Sequence, residues 1–285
     1  MFNLNGKNIL VTGGSGFLGK KLLERLIQYD CNITVVARDE GKLIETIQNH
    51  KDVKIITGDI SDPFVVRQCF NNKIDCVFHL AAFKHVGIAE TQTRECVKSN
   101  VIGTLNLLEQ SIDENLEFFL NVSTDKAAIV SGMYGATKFL AEGLVRQFET
   151  LNKDTAYRTV RYGNVLYSTG SVLCKWKRII EEGGEVIITD PEATRFFWTI
   201  DQAVDLLFEC LEKAENSDPW VPDMKSMKMG DLLKAMIAKY SNGNLVSVKE
   251  IGLQQGENKH EKIFADGLSS QDAEKFTIQE ITGLI

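Results

Sequence analysis

The sequence predicts an α/β fold, a Rossmann-type doubly wound parallel sheet with a smaller mixed α/β lobe formed by the C-terminal half. Six short runs rich in Val, Ile and Phe recur through the first 165 residues. Most lack the two-residue alternation of a half-exposed strand, as expected for strands buried on both faces. Amphipathic stretches separate them, and strand–helix alternation of this regularity implies right-handed crossovers. A glycine-rich turn joins the first run to the first helical stretch.

The runs lie at 8–12, 32–37, 53–57, 75–80, 117–122 and 158–162. Leu18, Leu22, Leu23, Leu26 and Ile27 form an apolar stripe on the first helix. Crossover helices are expected at 86–113 and 134–150, each with a long apolar face that a second copy of the chain can cover, so a homo-oligomer is expected, a dimer or higher. After residue 165 the rhythm breaks. A helix at 172–182 ends at Gly183-Gly184, a strand follows at 185–188, and a helix at 201–213 places Ala203, Val204, Leu207 and Leu211 on one side. A helix at 229–240 and a strand at 245–250 complete the pattern. The expected division is a cofactor-binding unit of 1–165 plus 201–215, and a substrate lobe of 166–200 plus 216–285.

Composition is ordinary for a globular protein, 44% hydrophobic and 25% charged over 285 residues. A net charge of −7 lacks the basic face that nucleic acid requires. Six scattered cysteines form no Cys-x-x-Cys pair and have no clustered histidines, which excludes the usual zinc spacings and suits a reducing compartment. No signal peptide and no membrane-spanning stretch are expected, so the cytoplasm is the expected location.

Thr12-Gly13-Gly14-Ser15-Gly16-Phe17-Leu18-Gly19 follows a buried run and opens a helix. Glycines at 13, 16 and 19 permit a tight turn, close approach of a pyrophosphate and helix–strand packing, with Ser15 and Phe17 between them at the helix N-terminus. The second run ends in Ala37-Arg38-Asp39. A guanidinium there pairs with a 2′-phosphate where an acid accepts from a free ribose, so Arg38 favours NADP over NAD. The competing reading makes Arg38 a solvated charge and Asp39 a helix N-cap. Asp59 and Ile60, just past the third run, suit the adenine edge, and Ala81 and Ala82 are small where a cofactor must slide past.

The fifth run leads into Ser123-Thr124-Asp125-Lys126, and Tyr134-x-x-x-Lys138 follows. Tyr and Lys at that spacing share one helix face, one turn apart. A phenol is a poor base near neutrality, and an adjacent cation, Lys138, is expected to lower its pKa.

These features resemble the extended short-chain dehydrogenase/reductase family. The strings His79-Leu80-Ala81-Ala82-Phe83-Lys84-His85-Val86, Ser123-Thr124-Asp125-Lys126-Ala127, Arg161-Tyr162-Gly163-Asn164-Val165, Thr194-Arg195-Phe196 and Ser226-Met227-Lys228-Met229 resemble the UDP-N-acetylglucosamine 4,6-dehydratases of bacterial surface-sugar and flagellin-sugar pathways, from about residue 7 to 264. The resemblance implies that Tyr134 takes the C4 hydroxyl proton as hydride leaves C4 for the nicotinamide. It further implies Thr124 on the C4 oxygen, Lys126 as the C5 base and Asp125 as the acid at O6. A lysine base requires a lowered pKa. Lys84 and His85 would lie beside the sugar, with Lys84 also near the cofactor. Asn100 is expected as a structural or cofactor-site polar group. Asn164, Ser171, Thr189, Arg195 and Glu257 are the remaining substrate-binding candidates.

The sequence departs from the family's Arg-Pro-Gly-Glu-Lys-Leu-His-Glu string, reading Gln254-Gln255-Gly256-Glu257-Asn258-Lys259-His260-Glu261. Lost phosphate contacts would fall to Arg195 and Lys259. The short form resembles the C5-inverting group. A UDP-hexose 4-epimerase or a C5-retaining dehydratase is the alternative enzyme, although a pure epimerase needs no C5 base. A catalytically inactive NADP-sensing regulator is the alternative of another class, and the Tyr–Lys pair speaks against it.

Overall fold

The computed structural model describes residues 3–48, 50 and 52–285, so 1, 2, 49 and 51 of the expected cofactor-binding unit lie outside the described residues. Strands β1 (Asn8–Thr12), β2 (Asn32–Ala37), β3 (Lys54–Thr57), β4 (Cys76–His79), β5 (Phe118–Thr124) and β6 (Ala156–Tyr162) fall on the six apolar runs. The C-terminal half adds β7 (Asn164–Val165), β8 (Glu185–Ile188), β9 (Thr194–Trp198), β10 (Pro219–Trp220), β11 (Ser226–Lys228) and β12 (Ser247–Glu250). In chain order the α-helices are α1 (Phe17–Leu26), α2 (Glu40–Gln48), α3 (Pro63–Cys69), α4 (Val86–Thr91), α5 (Thr93–Val97) and α6 (Gly103–Asp113). They continue as α7 (Met133–Leu151), α8 (Val172–Glu182), α9 (Ile200–Lys213), α10 (Met229–Tyr240) and α11 (Ile278–Leu284).

The main sheet is seven-stranded, ordered β10-β6-β5-β4-β1-β2-β3, and every pair in it is parallel. Buried Ile9 and Val11 share one core with Leu22, Leu23 and Leu26 of α1 and Leu207 of α9. Leu10, between them, joins Leu107 of α6, Phe119 of β5 and Val145 of α7 in a second core. Each such side chain contributes about 1.5–3 kcal/mol by leaving water, which is why the strands carry no polar alternation.

A third core holds Leu173, Trp176 and Ile180 of α8, Val186 and Ile188 of β8, Leu232 and Met236 of α10, and Ile281 of α11. Gly183 ends α8 in the left-handed region at φ 74°, which a side chain would resist. A three-stranded sheet, β11-β9-β7, lies beside the large one, and β12 pairs with β8.

Three local expectations change. The crossover over 86–113 is broken at Gln92 and turns through a π-helical segment at Lys98–Ile102. Ile27 lies past the end of α1 and is 47% exposed rather than on its buried stripe. Pro219–Trp220, grouped with the second lobe by sequence, extends the main sheet at its edge, where a proline costs no ladder bond.

Candidate active site

The carboxyl ends of β1, β2, β4 and β5 open onto a cleft of about 650 Å³, where a doubly wound sheet places its ligands. At its floor Gly13 adopts φ 69°, and a Cβ there would sit 2.8 Å from the Ala81 backbone nitrogen. A Cβ on Gly19 would meet the Gly13 carbonyl oxygen at 2.5 Å. The turn is therefore closed to any side chain at these two places, and it leaves the N-terminus of α1 facing the cleft. Ser15, Gly16 and Phe17 line the same wall, and Ala81, Ala82 and Ile60 line the one opposite.

Arg38 faces the cleft at the end of β2. Asp39 is occupied as the cap of α2: its Oδ1 accepts from the Lys42 N–H at 3.1 Å, and Oδ2 pairs with Lys42 Nζ at 3.0 Å. The N-cap reading of Asp39 holds, and both Arg38 and Asp39 line the cleft. Asp59 accepts from the Ser61 N–H and hydroxyl. Burial opposes its charge, but those bonds together with Lys98 and Arg38 keep its pKa below the usual carboxylate range.

At the far end, β5 runs into a 3₁₀ turn, Asp125–Ala127, capped by the Thr124 hydroxyl, and α7 then carries Tyr134 and Lys138 back to the cleft. A Cβ on Gly135 would collide with the Lys126 carbonyl oxygen, so glycine lets α7 lie directly on the turn. Thr124 Oγ1 donates to Asp125 Oδ1 at 2.9 Å, and Lys126 Nζ donates to the same oxygen at 3.1 Å. Burial pushes Tyr134 up to about 12, and the cation that acts against this is Lys126. Burial pulls Lys138 down to about 8, with the Glu142 carboxylate opposing.

Two electrostatic expectations are overturned here. Burial acts to lower the Lys126 pKa, but the carboxylates of Asp125 and Glu261 prevail and hold it above the ordinary lysine range. Lys126 rests as an ammonium and not as a poised base. For Tyr134 burial likewise outweighs the lowering by its neighbours, the opposing cation is Lys126 rather than Lys138, and Lys138 lies deeper, only 3% exposed.

Of the sugar-side candidates, Lys84, His85 and Asn164 line the cleft, and Lys84 Nζ crosses it to donate to the Thr169 carbonyl at 2.9 Å. Others lie off it. Asn100 is buried in the π-helical segment, where its amide bonds both the N–H and the carbonyl of Phe83, so it clamps the loop after β4 from behind. Arg195 is turned inward, NH1 donating to the Thr194 and Lys259 carbonyls and Nε lying 3.9 Å from Glu261. It is engaged by two backbone carbonyls and the Glu261 carboxylate and does not line the cleft. Lys259 pairs with Asp190 at 3.0 Å. Ser171 is the N-cap residue of α8, Thr189 follows β8, and Glu257 accepts from the Gln254 N–H within its own turn. None of these three lines the cleft.

The model of the family described as polysaccharide biosynthesis protein matches residues 9–281. The chain belongs to that family. Among its relatives, UDP-N-acetylglucosamine 4,6-dehydratase (inverting) of Campylobacter jejuni is 35% identical over 264 residues, 90% of this chain and 77% of that protein. A UDP-glucose 4-epimerase of Rickettsia typhi is 30% identical over 94% of this chain and 80% of its own length. In three dimensions the chain is similar to Pen from Bacillus thuringiensis, with TM-score 0.87 and 31% identity, covering 92% of this chain and 85% of that one.

For a member of the polysaccharide biosynthesis protein family, the residues missed by sequence are those beneath the site. Glu142, one turn after Lys138, takes Arg161 Nε at 3.1 Å and the Ser123 hydroxyl at 2.5 Å, and Arg161 reaches on to the Ile263 carbonyl at 2.6 Å. Glu261, 2% exposed, approaches Lys126 Nζ at 3.6 Å. Asn258, where the family pattern has lysine, donates to Glu261 Oε2 at 3.2 Å. The sequence signal for Arg161 and Glu261 was membership in the quoted strings, which says nothing of what they touch.

Proposed function

We propose that the protein is a nucleotide-sugar 4,6-dehydratase, a hydro-lyase that converts UDP-N-acetylglucosamine to a UDP-4-keto-6-deoxy-N-acetylhexosamine with inversion at C5. The observation that carries the reading is the Thr124-Asp125-Lys126 turn seated against Tyr134 and Lys138 at the end of a dinucleotide cleft. An epimerase needs the Tyr–Lys pair alone, whereas the turn adds an acid–base pair for elimination across C5–C6.

The turn at Gly13 and Gly19, where added Cβ atoms would collide with the Ala81 and Gly13 backbone, holds the N-terminus of α1 toward the cleft, which suits a dinucleotide pyrophosphate. Arg38, with Asp39 engaged by Lys42, supports NADP over NAD. A nicotinamide held between the Gly13–Gly19 turn, Ala81 and Ala82 would supply a hydride acceptor for C4 and a hydride donor for C6. Tyr134 takes the C4 hydroxyl proton, Thr124 bonds the C4 oxygen, and Lys138 lies beneath them. Lys84, His85 and Asn164 face the sugar. The diphosphate finds no arginine at position 254, and Lys84 is a lysine that lines the cleft.

Among the described residues no helix is long and apolar enough to cross a membrane, no metal cluster occurs, and all six cysteines are free thiols. A cytoplasmic location suits the thiols. Phe139 and Leu140, each 52% exposed on α7, support a homo-oligomer through that helix, which light scattering reads directly.

The test is incubation with UDP-N-acetylglucosamine in deuterated water without added reductant. The expected product is lighter by one water and carries solvent deuterium at C5, and Tyr134→Phe makes none while still binding NADP. A product that keeps its 6-hydroxyl and differs only at C4 would establish the epimerase instead.

A further inference from the structure

Among the described residues, Asn115, Tyr167 and Asn242 are the non-glycines with a left-handed backbone. Asparagine tolerates that region, but a bulky tyrosine at φ 55° resists it. Tyr167 stands two residues after β7, directly before the segment that crosses the cleft. Ser168 and Thr169 line the cleft, and the Thr169 carbonyl accepts from Lys84 Nζ at 2.9 Å. Thr169 also borders a second hollow of about 380 Å³ with Ser15 and Phe17 at the start of α1. Gly170 then turns the chain at φ 75°, and a Cβ there would come within 3.0 Å of His85 Cε1. The segment therefore reaches from the N-terminus of α1, where a pyrophosphate fits, to the Lys84-His85 loop.

The side chain of Tyr167 explains why its backbone stays in a costly conformation. Its ring packs on the core of α8, β8 and α10, and its hydroxyl shares a hydrogen bond with the Tyr240 hydroxyl at 2.9 Å. Lys177 Nζ of α8 lies 6.0 Å from the centroid of that ring and 4.6 Å from that of Tyr240. Cys174 Sγ, also on α8, donates to the Tyr167 and Ser168 carbonyls at 3.5 and 3.6 Å. A glycine at 167 would take the same backbone without steric cost but would have no such anchor.

We propose that Tyr167 is a positioning residue: anchored on Tyr240 and Lys177, it holds Ser168–Gly170 across the cleft and so slows release of the bound dinucleotide. The inference rests on the nicotinamide-dinucleotide reading of the cleft and not on the identity of the sugar. Because the proposed reaction returns its hydride to the same sugar, the cofactor need not leave between turnovers, and slow release costs no rate.

The dissociation rate of NADPH is measured by chasing the preformed complex with excess NADP. Tyr167→Gly is expected to release NADPH roughly tenfold faster than the wild type, as for loss of one hydrogen bond and one cation–π contact. Tyr240→Phe leaves residue 167 in place, removes only the bond between the two hydroxyls, and is expected to speed release about threefold. It also serves if the glycine variant does not fold. Unchanged release in the variants that fold overturns the proposal.

Hydrogen exchange of the ligand-free protein separates positioning from general stability. Amides of 168–171 are expected to exchange faster in both variants while α8 and α10 keep their protection. Faster exchange spread through α8 and α10 would make Tyr167 a support of the second lobe alone and overturn the proposal. If the wild type binds neither NADPH nor NADH while exchange rises at 168–171 only, the cofactor reading and the retention role fail, and the hold of Tyr167 on the segment is supported.

Discussion

Arg38 lines the cleft at the end of β2, and Asp39 beside it is engaged by Lys42 at the start of α2. Arg38→Ala is expected to weaken NADP by about 1.5–3 kcal/mol and leave NAD nearly unaffected, as for loss of one charge-assisted contact. Parallel titrations with the two cofactors check it, and equal losses would remove the guanidinium from the 2′-phosphate. His79 gives a second expectation at this scale. It is buried between Thr12 and Thr104 hydroxyls, and burial, with Lys138 adding to it, lowers its pKa to about 3. The unfolded chain takes up this proton near pH 6.5 and the folded chain near 3, so the unfolded state binds more protons between them. Stability should fall as pH drops through that window, by up to about 1.4 kcal/mol per unit from this residue. Urea unfolding across pH shows it as a slope that His79→Gln flattens, and parallel curves would contradict it. Residue types at the site were legible in sequence, but their charge states were not. Lys126 reads as a base from its string, and the carboxylates of its neighbour Asp125 and of the distant Glu261 hold its pKa above the ordinary lysine range.

The catalytic geometry depends on how closely α7 lies on the 3₁₀ turn after β5. Gly135 sets that distance, since its missing Cβ is the space the Lys126 carbonyl occupies. Gly135→Ala is expected to cost about 1–3 kcal/mol of stability, as other overpacked contacts do. It should also cost roughly 10²-fold in turnover, because the Tyr134 hydroxyl would move relative to Thr124 and Lys126. Thermal melting and kinetics together check this; a variant of normal activity would show that the helix tolerates the shift. The buried strands and amphipathic helices were readable because burial on both faces or on one stripe leaves a pattern in the residues. The helix over Val172–Glu182 matched to the residue because Gly183-Gly184 punctuates it. Strand β9, reading Thr-Arg-Phe-Phe-Trp, follows the Asp190-Pro191 turn but has only five residues, and β7, β10 and β11 have only two or three each. Helix α11 announced itself only by the Thr277–Glu280 capping box. The π-helical segment that aims Asn100 at Phe83 has no sequence signature at all.

On the scale of the whole molecule, the C-terminal segment packs against the candidate site. The Ile263 carbonyl takes Arg161 from β6, and Glu261 reaches Lys126 on the turn after β5, so the last third of the chain closes the site from below. The parallel sheet and the glycine cradle supply a dinucleotide cleft common to many reactions, and only the Thr124-Asp125-Lys126 turn narrows the chemistry to dehydration. That narrowing is the central claim, and the fate of a single hydrogen tests it. UDP-N-acetylglucosamine deuterated at C4 is incubated with the protein, and the product is read by NMR. The account predicts deuterium at C6 of a 4-keto-6-deoxy sugar, because the hydride that leaves C4 returns two carbons away after water has gone. Deuterium found back at C4, in a sugar that still carries its 6-hydroxyl, would contradict it.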